Sequence, residues 1–283
     1  MKYFREKKVR FGDGFLDVDL FEMSDDWEPP AKRAKRKRVS PPHIIAANDR
    51  HSKNHLRQII VHNFGAGDIY VTPTYGGEPP DLATARQEMQ NYIRRLNRIY
   101  TKNNIELRAI WVTEGGRKKS DGTFTRVHHH LIINAGVSRE DIEAAWRGKS
   151  RGKDYTRGFC NAVMITPGEG ERGCERIAEY MAKSRTKNLG KGLRRWSSTR
   201  NIRRPTETII DNKISRRRTA ELTEEAAKLA ELIAAKKAVR EEDTEELRRI
   251  LSNRYGREVL DVLASVNSFN NRVYISARFR QKE

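Results

Sequence analysis

The chain has 283 residues, of which 57 are lysine or arginine and 38 are aspartate or glutamate, giving a formal net charge of +19. This excess of positive charge favours a polyanionic partner, nucleic acid first and an anionic membrane surface second. No apolar run approaches the length of a membrane span, and two cysteines exclude both a disulfide framework and a cysteine-based zinc site, so we expect a cytoplasmic protein without a membrane partner.

The first 45 residues are predicted to form a basic, partly disordered arm. A run of lysines and arginines at 32–38 lies between two proline pairs, and like charges flanked by prolines disfavour a packed structure. Residues 9–21 alternate between apolar and polar side chains and can form a short strand. The arm can attract phosphates, act as a nuclear-import signal or only increase solubility, and composition does not separate these interpretations.

The middle of the chain carries the clearest pattern of strands and helices. We predict strands at 68–75, 107–114, 124–134 and 159–165, with helices at 81–100 and 138–146 between them and further helices at 50–62 and 174–187. The resulting order βαββαβ is typical of a ferredoxin-like or RRM-like antiparallel palm with helices on one face, so the predicted class is α+β.

A small, mostly helical extension is predicted to follow the palm. Its amphipathic segments at 221–240 and 244–255 predict a helical hairpin, and residues 272–279 alternate enough for a strand. The predicted organisation is therefore an arm at 1–45, a central domain at 46–205 and the extension at 206–283. The extension either docks on the palm or binds a partner.

Three consecutive histidines open the apolar run of the third predicted strand. Because side chains alternate along a strand, His128 and His130 point to one face and His129 to the other. A three-residue turn at 120–122 would place Glu114 opposite His128, whereas a two-residue turn would place it opposite His129. Two imidazoles and a carboxylate on one face can bind a divalent cation, Mg²⁺ or Mn²⁺. A merely histidine-rich surface run is the alternative.

The helix at 174–187 carries a tyrosine among cations. Arg176, Tyr180, Lys183 and Lys187 lie at i, i+4, i+7 and i+11, which is one helix face. Such cations can bind a phosphate while the phenol attacks it, so Tyr180 and Lys183 are the predicted catalytic residues. A solvated basic face with an incidental tyrosine is the alternative, and Tyr155 is the second candidate nucleophile.

These residues resemble a known family. The histidines followed by aliphatic residues, at 126–134, resemble the HUH motif of the HUH endonucleases, and the surrounding sequence is most similar to rolling-circle replication initiators of phages and plasmids, including the filamentous-phage gene II protein group. Residues 63–75, 180–183 and 196–201 resemble further motifs of that family in the same order. The resemblance extends over about residues 45 to 205.

The resemblance implies a function. His128, His130 and Glu114 would hold Mg²⁺ or Mn²⁺ at a phosphate of single-stranded origin DNA, while Lys183 steadies the phosphate or the phenolate. Attack by Tyr180 would leave a 5′-phosphotyrosine and a free 3′-hydroxyl, which starts rolling-circle replication. A host polymerase and helicase in the bacterial cytoplasm or nucleoid are the implied partners, and the oligomeric state stays open.

A further group of residues is predicted to contact the DNA, because cations beside an aromatic side chain suit single strands. The predicted contacts are Thr72, Thr74, Arg176, Lys187, Arg194, Arg195 and Trp196. The two threonines share a strand face, but the proline between them departs from the family pattern, and their hydroxyls can equally satisfy the backbone.

Four other functions compete with this interpretation. A conjugative relaxase or a single-tyrosine transposase would share the chemistry. A non-catalytic DNA-binding regulator would bind without metal dependence or covalent capture. An RNA-binding protein on the same sheet would present aromatic side chains where histidine and glutamate stand.

Overall fold

The computed structural model describes residues 2–24, 42–115, 125–150, 153–155, 157–168, 171, 173–184, 194–211, 213–235, 239–267 and 271–282. Within these residues the strands are β1 (Lys2–Phe11), β2 (Phe15–Ser24), β3 (Ile69–Pro73), β4 (Ala109–Glu114), β5 (His128–Ile133), β6 (Gly148–Ser150), β7 (Lys153–Tyr155), β8 (Cys160–Met164), β9 (Ser197–Ser198), β10 (Thr206–Asp211), β11 (Arg257–Val266) and β12 (Val273–Gln281). The helices are α1 (Pro42–Asn63), α2 (Leu82–Lys102), α3 (Arg139–Ala144), α4 (Glu175–Ser184), α5 (Arg216–Ala234) and α6 (Glu245–Tyr255).

The chain forms two compact units. The central unit comprises residues 40–204, and the terminal unit combines residues 1–39 with residues 205–283. No helix in the described ranges is both long enough and apolar enough to cross a bilayer.

The central unit is built on an antiparallel sheet with the strand order β8-β3-β5-β4-β9. Its elements β3, α2, β4, β5, α3 and β8 follow the predicted order βαββαβ, and α2 and α3 share one face of the sheet. The predicted α+β palm is therefore confirmed. In this order β5 lies between β3 and β4, so the histidines stand on a central strand.

Helix α2 shows why the face opposite the predicted site is closed. Asp81 caps the helix by accepting hydrogen bonds from the backbone N–H groups of Ala83 and Thr84. The helix then buries one stripe of side chains, each contributing about 1.5–3 kcal/mol when it is large and apolar. The buried stripe consists of Ala85, Met89, Tyr92, Leu96 and Tyr100. It packs in one cluster with Val71, Leu131 and Ile133 of the sheet.

The terminal unit corrects two predictions. Residues 2–24 are not part of an arm but form the hairpin β1–β2, which lies inside a sheet of order β10-β1-β2-β12-β11. The C-terminal part is also not mostly helical, because β10, β11 and β12 accompany α5 and α6. The apolar side chains of β1 and β2 bury against helices that follow about 200 residues later. The basic run at 32–38 lies outside the described residues.

Candidate metal and nucleophile site

The register of β4 and β5 fixes the site. Glu114 pairs with His128, as a three-residue turn predicts, and Val112 pairs with His130. The turn at 120–122 itself lies outside the described residues. Glu114, His128 and His130 consequently share one sheet face, and their ligand atoms all lie within 4.8 Å of one another.

The three side chains form a cluster with one open side. Oε2 of Glu114 lies 3.3 Å from Nε2 of His130 and 3.6 Å from Nε2 of His128. His130 is 2% exposed, whereas Glu114 and His128 are 22% and 31% exposed. Two imidazole nitrogens and one carboxylate oxygen fit a divalent cation and leave coordination positions for water or phosphate oxygens.

Neighbouring groups orient both imidazoles toward Glu114. The Nδ1 of His128 lies 3.0 Å from the backbone carbonyl of Arg126, to which it must donate, so Nε2 keeps its lone pair. The Nδ1 of His130 lies 2.7 Å from the hydroxyl of Tyr70. Burial raises the pKa of Tyr70, so this phenol stays protonated. An outer partner on each imidazole is typical of metal-binding histidines.

Tyr70 is a residue that the sequence reasoning missed. It lies on β3 with the same strand parity as Thr72 and Thr74, so the shared-face argument applied to the threonines extends to it. The missing information was the neighbouring strand, because β3 pairs with β5 through a long connection rather than through a hairpin.

His129 points to the opposite face, as strand alternation predicts. It is fully buried, and its Nε2 and Nδ1 lie 3.0 Å from the hydroxyls of Tyr75 and Thr113 respectively. Burial lowers the pKa of His129 to about 3, so its imidazole is neutral. It packs edge-on against the Trp146 ring, which makes it a core residue rather than a ligand.

Tyr180 lies against the cluster. Its ring centre is 5.0 Å from that of His130 in an edge-on arrangement, and the side chain is 51% exposed. Two contacts hold α4 on α1: Nζ of Lys53 lies 2.8 Å from Oε1 of Glu179, and Sγ of Cys174 donates to the carbonyl of Phe64 at 3.1 Å.

The predicted cations around Tyr180 are placed differently from one another. Lys183 is exposed one turn further along α4. Arg176 is exposed one turn earlier and lies 3.5 Å from the carboxylate of Glu171. Lys187 lies outside the described residues, as does the side chain of the second candidate nucleophile, Tyr155.

The threonines of β3 support the site from within. Thr72 hydrogen-bonds to Tyr70, and Oγ1 of Thr74 donates to the backbone carbonyl of Phe159 at 2.8 Å. Pro73 is compatible with the strand because its register partner is Cys160 on β8, while the pairing of β3 with β5 ends at Val71.

The predicted DNA-contacting segment at 194–196 borders the same sheet. It leads into β9, which adds Ser197 and Ser198 to the edge of β4. The Trp196 ring centre lies 6.1 Å from that of His55. Two cavities of about 560 and 400 Å³ share Arg194, Arg195 and Trp196 in their walls, and Arg195 is held 2.6 Å from Asp49.

Comparison with known proteins agrees with this geometry. Residues 68–188 match the model of the family described as replication-associated protein ORF2/gene II protein. The matched segment contains the whole βαββαβ palm, the three-residue cluster and α4. The match is consistent with a rolling-circle replication initiator, and the resemblance seen in the sequence is thereby confirmed. No curated protein and no solved structure matches the chain.

Proposed function

We propose that the protein nicks single-stranded origin DNA in a metal-dependent reaction through a 5′-phosphotyrosine and so starts rolling-circle replication. One observation carries the proposal: the half-exposed Tyr180 lies against His130, at the open side of a cluster of two imidazoles and a carboxylate. A phosphate placed there would meet a nucleophile and a cation site together.

Glu114, His128 and His130 would hold Mg²⁺ or Mn²⁺. When bound, the cation supplies Lewis-acid polarisation of the scissile phosphate. The Tyr180 oxygen attacks phosphorus and loses its proton to solvent, while the bond from phosphorus to the 3′ oxygen breaks and that oxygen takes up a proton. The products are a 5′-phosphotyrosine and a 3′-hydroxyl that a host polymerase can extend. Lys183 would compensate the negative charge on the phosphate.

The strand would approach along the edge of β4. Arg194 and Arg195 offer cations and Trp196 offers a stacking surface beside two cavities, a combination that suits single strands. Arg176 and Lys187 would add cations on the side of α4. Because the hydroxyl of Thr74 is engaged with Phe159, we assign the threonines to support of β3 rather than to base recognition.

Covalent trapping tests the proposal. Labelled single-stranded DNA from the element that encodes this gene would be incubated with the protein in Mn²⁺ or EDTA and run on a denaturing gel. We expect an adduct that requires both the metal and Tyr180, with Tyr180→Phe inactive and Tyr155→Phe active as the matched control. An adduct that persists in Tyr180→Phe would move the nucleophile.

The same experiment separates the competing functions. Tight binding without an adduct on the cognate origin would refute the enzyme and favour a DNA-binding regulator. Joining of the trapped strand to a foreign target, rather than closure onto its own 3′ end, would favour a relaxase or transposase. Location in a bacterial cytoplasm and cooperation with a host helicase belong to the proposal.

A further inference from the structure

A second basic site lies on the helix-covered side of the palm. Here α2, the end of α3 and the segment before β8 surround a cavity of about 800 Å³. Five of its seven lining residues are arginines, and no carboxylate belongs to the described lining: Asn91, Arg94, Arg95, Arg98, Ala144, Arg147 and Arg157. So many like charges around one cavity favour an anionic ligand.

Two of the arginines are fixed in place. Arg95 donates to the backbone carbonyl of Ala145 at 2.6 Å, and Arg157 donates to that of Trp146 at 3.1 Å. The Arg157 guanidinium also lies 5.7 Å from the centre of the Trp146 ring and 3.4 Å from Glu88. These contacts hold two cations in the cavity before any ligand arrives, which lowers the entropic cost of binding.

The other three arginines are exposed. Arg94 and Arg98 are one helical turn apart on α2, and Arg147 follows α3. The guanidinium of Arg94 contacts only an amide oxygen, that of Asn91 at 3.0 Å, among the partners seen in the described ranges. The exposed arginines can therefore turn toward a ligand without breaking an ion pair observed in the described part of the chain.

This cavity is separate from the candidate nicking site. Helices α2 and α3 cover the sheet face to which His129 points, whereas His128 and His130 face the other way. A group bound among the five arginines is consequently separated from Glu114 by the thickness of the sheet.

The chemistry of the lining identifies the ligand. Arginine forks match phosphate oxygens in a bidentate manner. Surfaces that bind single strands combine cations with exposed aromatic rings, but Tyr92 and Trp146 are buried beneath this cavity and its described wall offers no ring. We propose that the five-arginine cavity binds the phosphate backbone of double-stranded DNA, as a second site that holds the duplex while a single strand occupies the metal site, an arrangement that rests on the proposed nicking function.

The test measures duplex binding as a function of salt. The triple variant Arg94→Gln, Arg98→Gln, Arg147→Gln leaves the two fixed arginines in place, so the helices keep their contacts. Each lost phosphate contact should reduce the slope of log K against log salt by about 0.9. We expect a slope smaller by about 2.7 for the triple variant and by about 0.9 for Arg147→Gln alone.

A charge-matched control removes three exposed cations elsewhere, by Lys213→Gln, Arg216→Gln and Lys282→Gln. The control should change the slope by less than about 1. Covalent trapping of a short single-stranded oligonucleotide should be the same for wild type and both triple variants. This arm also separates the two proposals, because absence of trapping in all three proteins would refute the nickase and leave the duplex site standing.

Three results would overturn the duplex site. The first is an unchanged slope in the arginine variants that keep a native circular dichroism spectrum. The second is an equal slope change in the control, which would indicate bulk charge. The third is a selective loss of binding to vesicles of anionic phospholipid with duplex binding intact, which would assign the cavity to a membrane surface.

Discussion

Replacing Tyr70 by Phe should weaken metal binding without unfolding the protein. The change removes one hydroxyl, which lies 2.7 Å from Nδ1 of His130. Since His130 is 2% exposed, water has little access to replace that hydrogen bond. The phenyl ring can remain beside the imidazole, where the two rings already lie parallel with centres 6.2 Å apart.

The structure sets the size of the effect. To bind a cation through Nε2, His130 must carry its proton on Nδ1 and donate it to Tyr70. Without that acceptor a buried N–H is unsatisfied, at a cost of about 1–3 kcal/mol. Loss of outer partners of metal-binding histidines typically weakens metal binding about 10–100-fold, which is the same range at about 1.4 kcal/mol per decade.

Calorimetric titration of the metal-free protein with Mn²⁺ would measure the change. Tyr180→Phe is the matched control, because the Tyr180 ring also contacts the His130 ring, but no hydrogen bond between the two side chains is seen in the described ranges. We expect Tyr180→Phe to bind Mn²⁺ like the wild type and Tyr70→Phe to bind it at least about tenfold more weakly. Equal weakening in both variants, or a change below about twofold in Tyr70→Phe, would contradict the orienting role of Tyr70.

Three further outcomes are expected. His129→Ala should lower the free energy of unfolding by about 2–4 kcal/mol, because it opens a cavity and strands two hydroxyls, whereas the partly exposed His128→Ala should change it little; urea unfolding would measure both. Mn²⁺ at about 100 times its Kd should stabilise the wild type by about 2.7 kcal/mol but not His128→Ala, as seen in melting curves. Burial alone would raise the pKa of Glu6, but hydrogen bonds from Lys8 and Tyr255 lower it overall, so this carboxylate stabilises the terminal unit above its ordinary pKa of 4.5 and loses that effect as the pH falls further. Hydrogen exchange of β1 should show this acid sensitivity in the wild type and not in Glu6→Gln.

The residues of the metal cluster could be predicted because each step is local. Strand alternation separates His129 from its neighbours, and the hairpin turn sets which residue faces His128. Both depend on fewer than about 20 consecutive residues, so sequence spacing determines them. The palm was predictable for a related reason, since its periodic segments follow one another in the order in which the fold uses them.

Contacts made between distant segments were not predictable in this way. Tyr70 meets His130 because β3 lies beside β5, and the hairpin β1–β2 belongs to a sheet completed by β12. Nothing in the composition of the N-terminal residues indicates that partner. The basic run after them suggested a solvated arm, although the preceding alternation is that of strands with one buried face.

The division of the site between sheet and helix has a consequence of its own. Its three ligands come from adjacent strands in fixed register, so their spacing is maintained by the sheet ladder. Tyr180 comes from α4, which is held on α1 by contacts such as that of Lys53 with Glu179. A surface ion pair of this kind contributes at most about 1 kcal/mol, so the helix can shift at a cost that the strands cannot match. Metal binding should therefore survive changes in α4 that abolish strand transfer, and the covalent step depends on where the helix places the phenol.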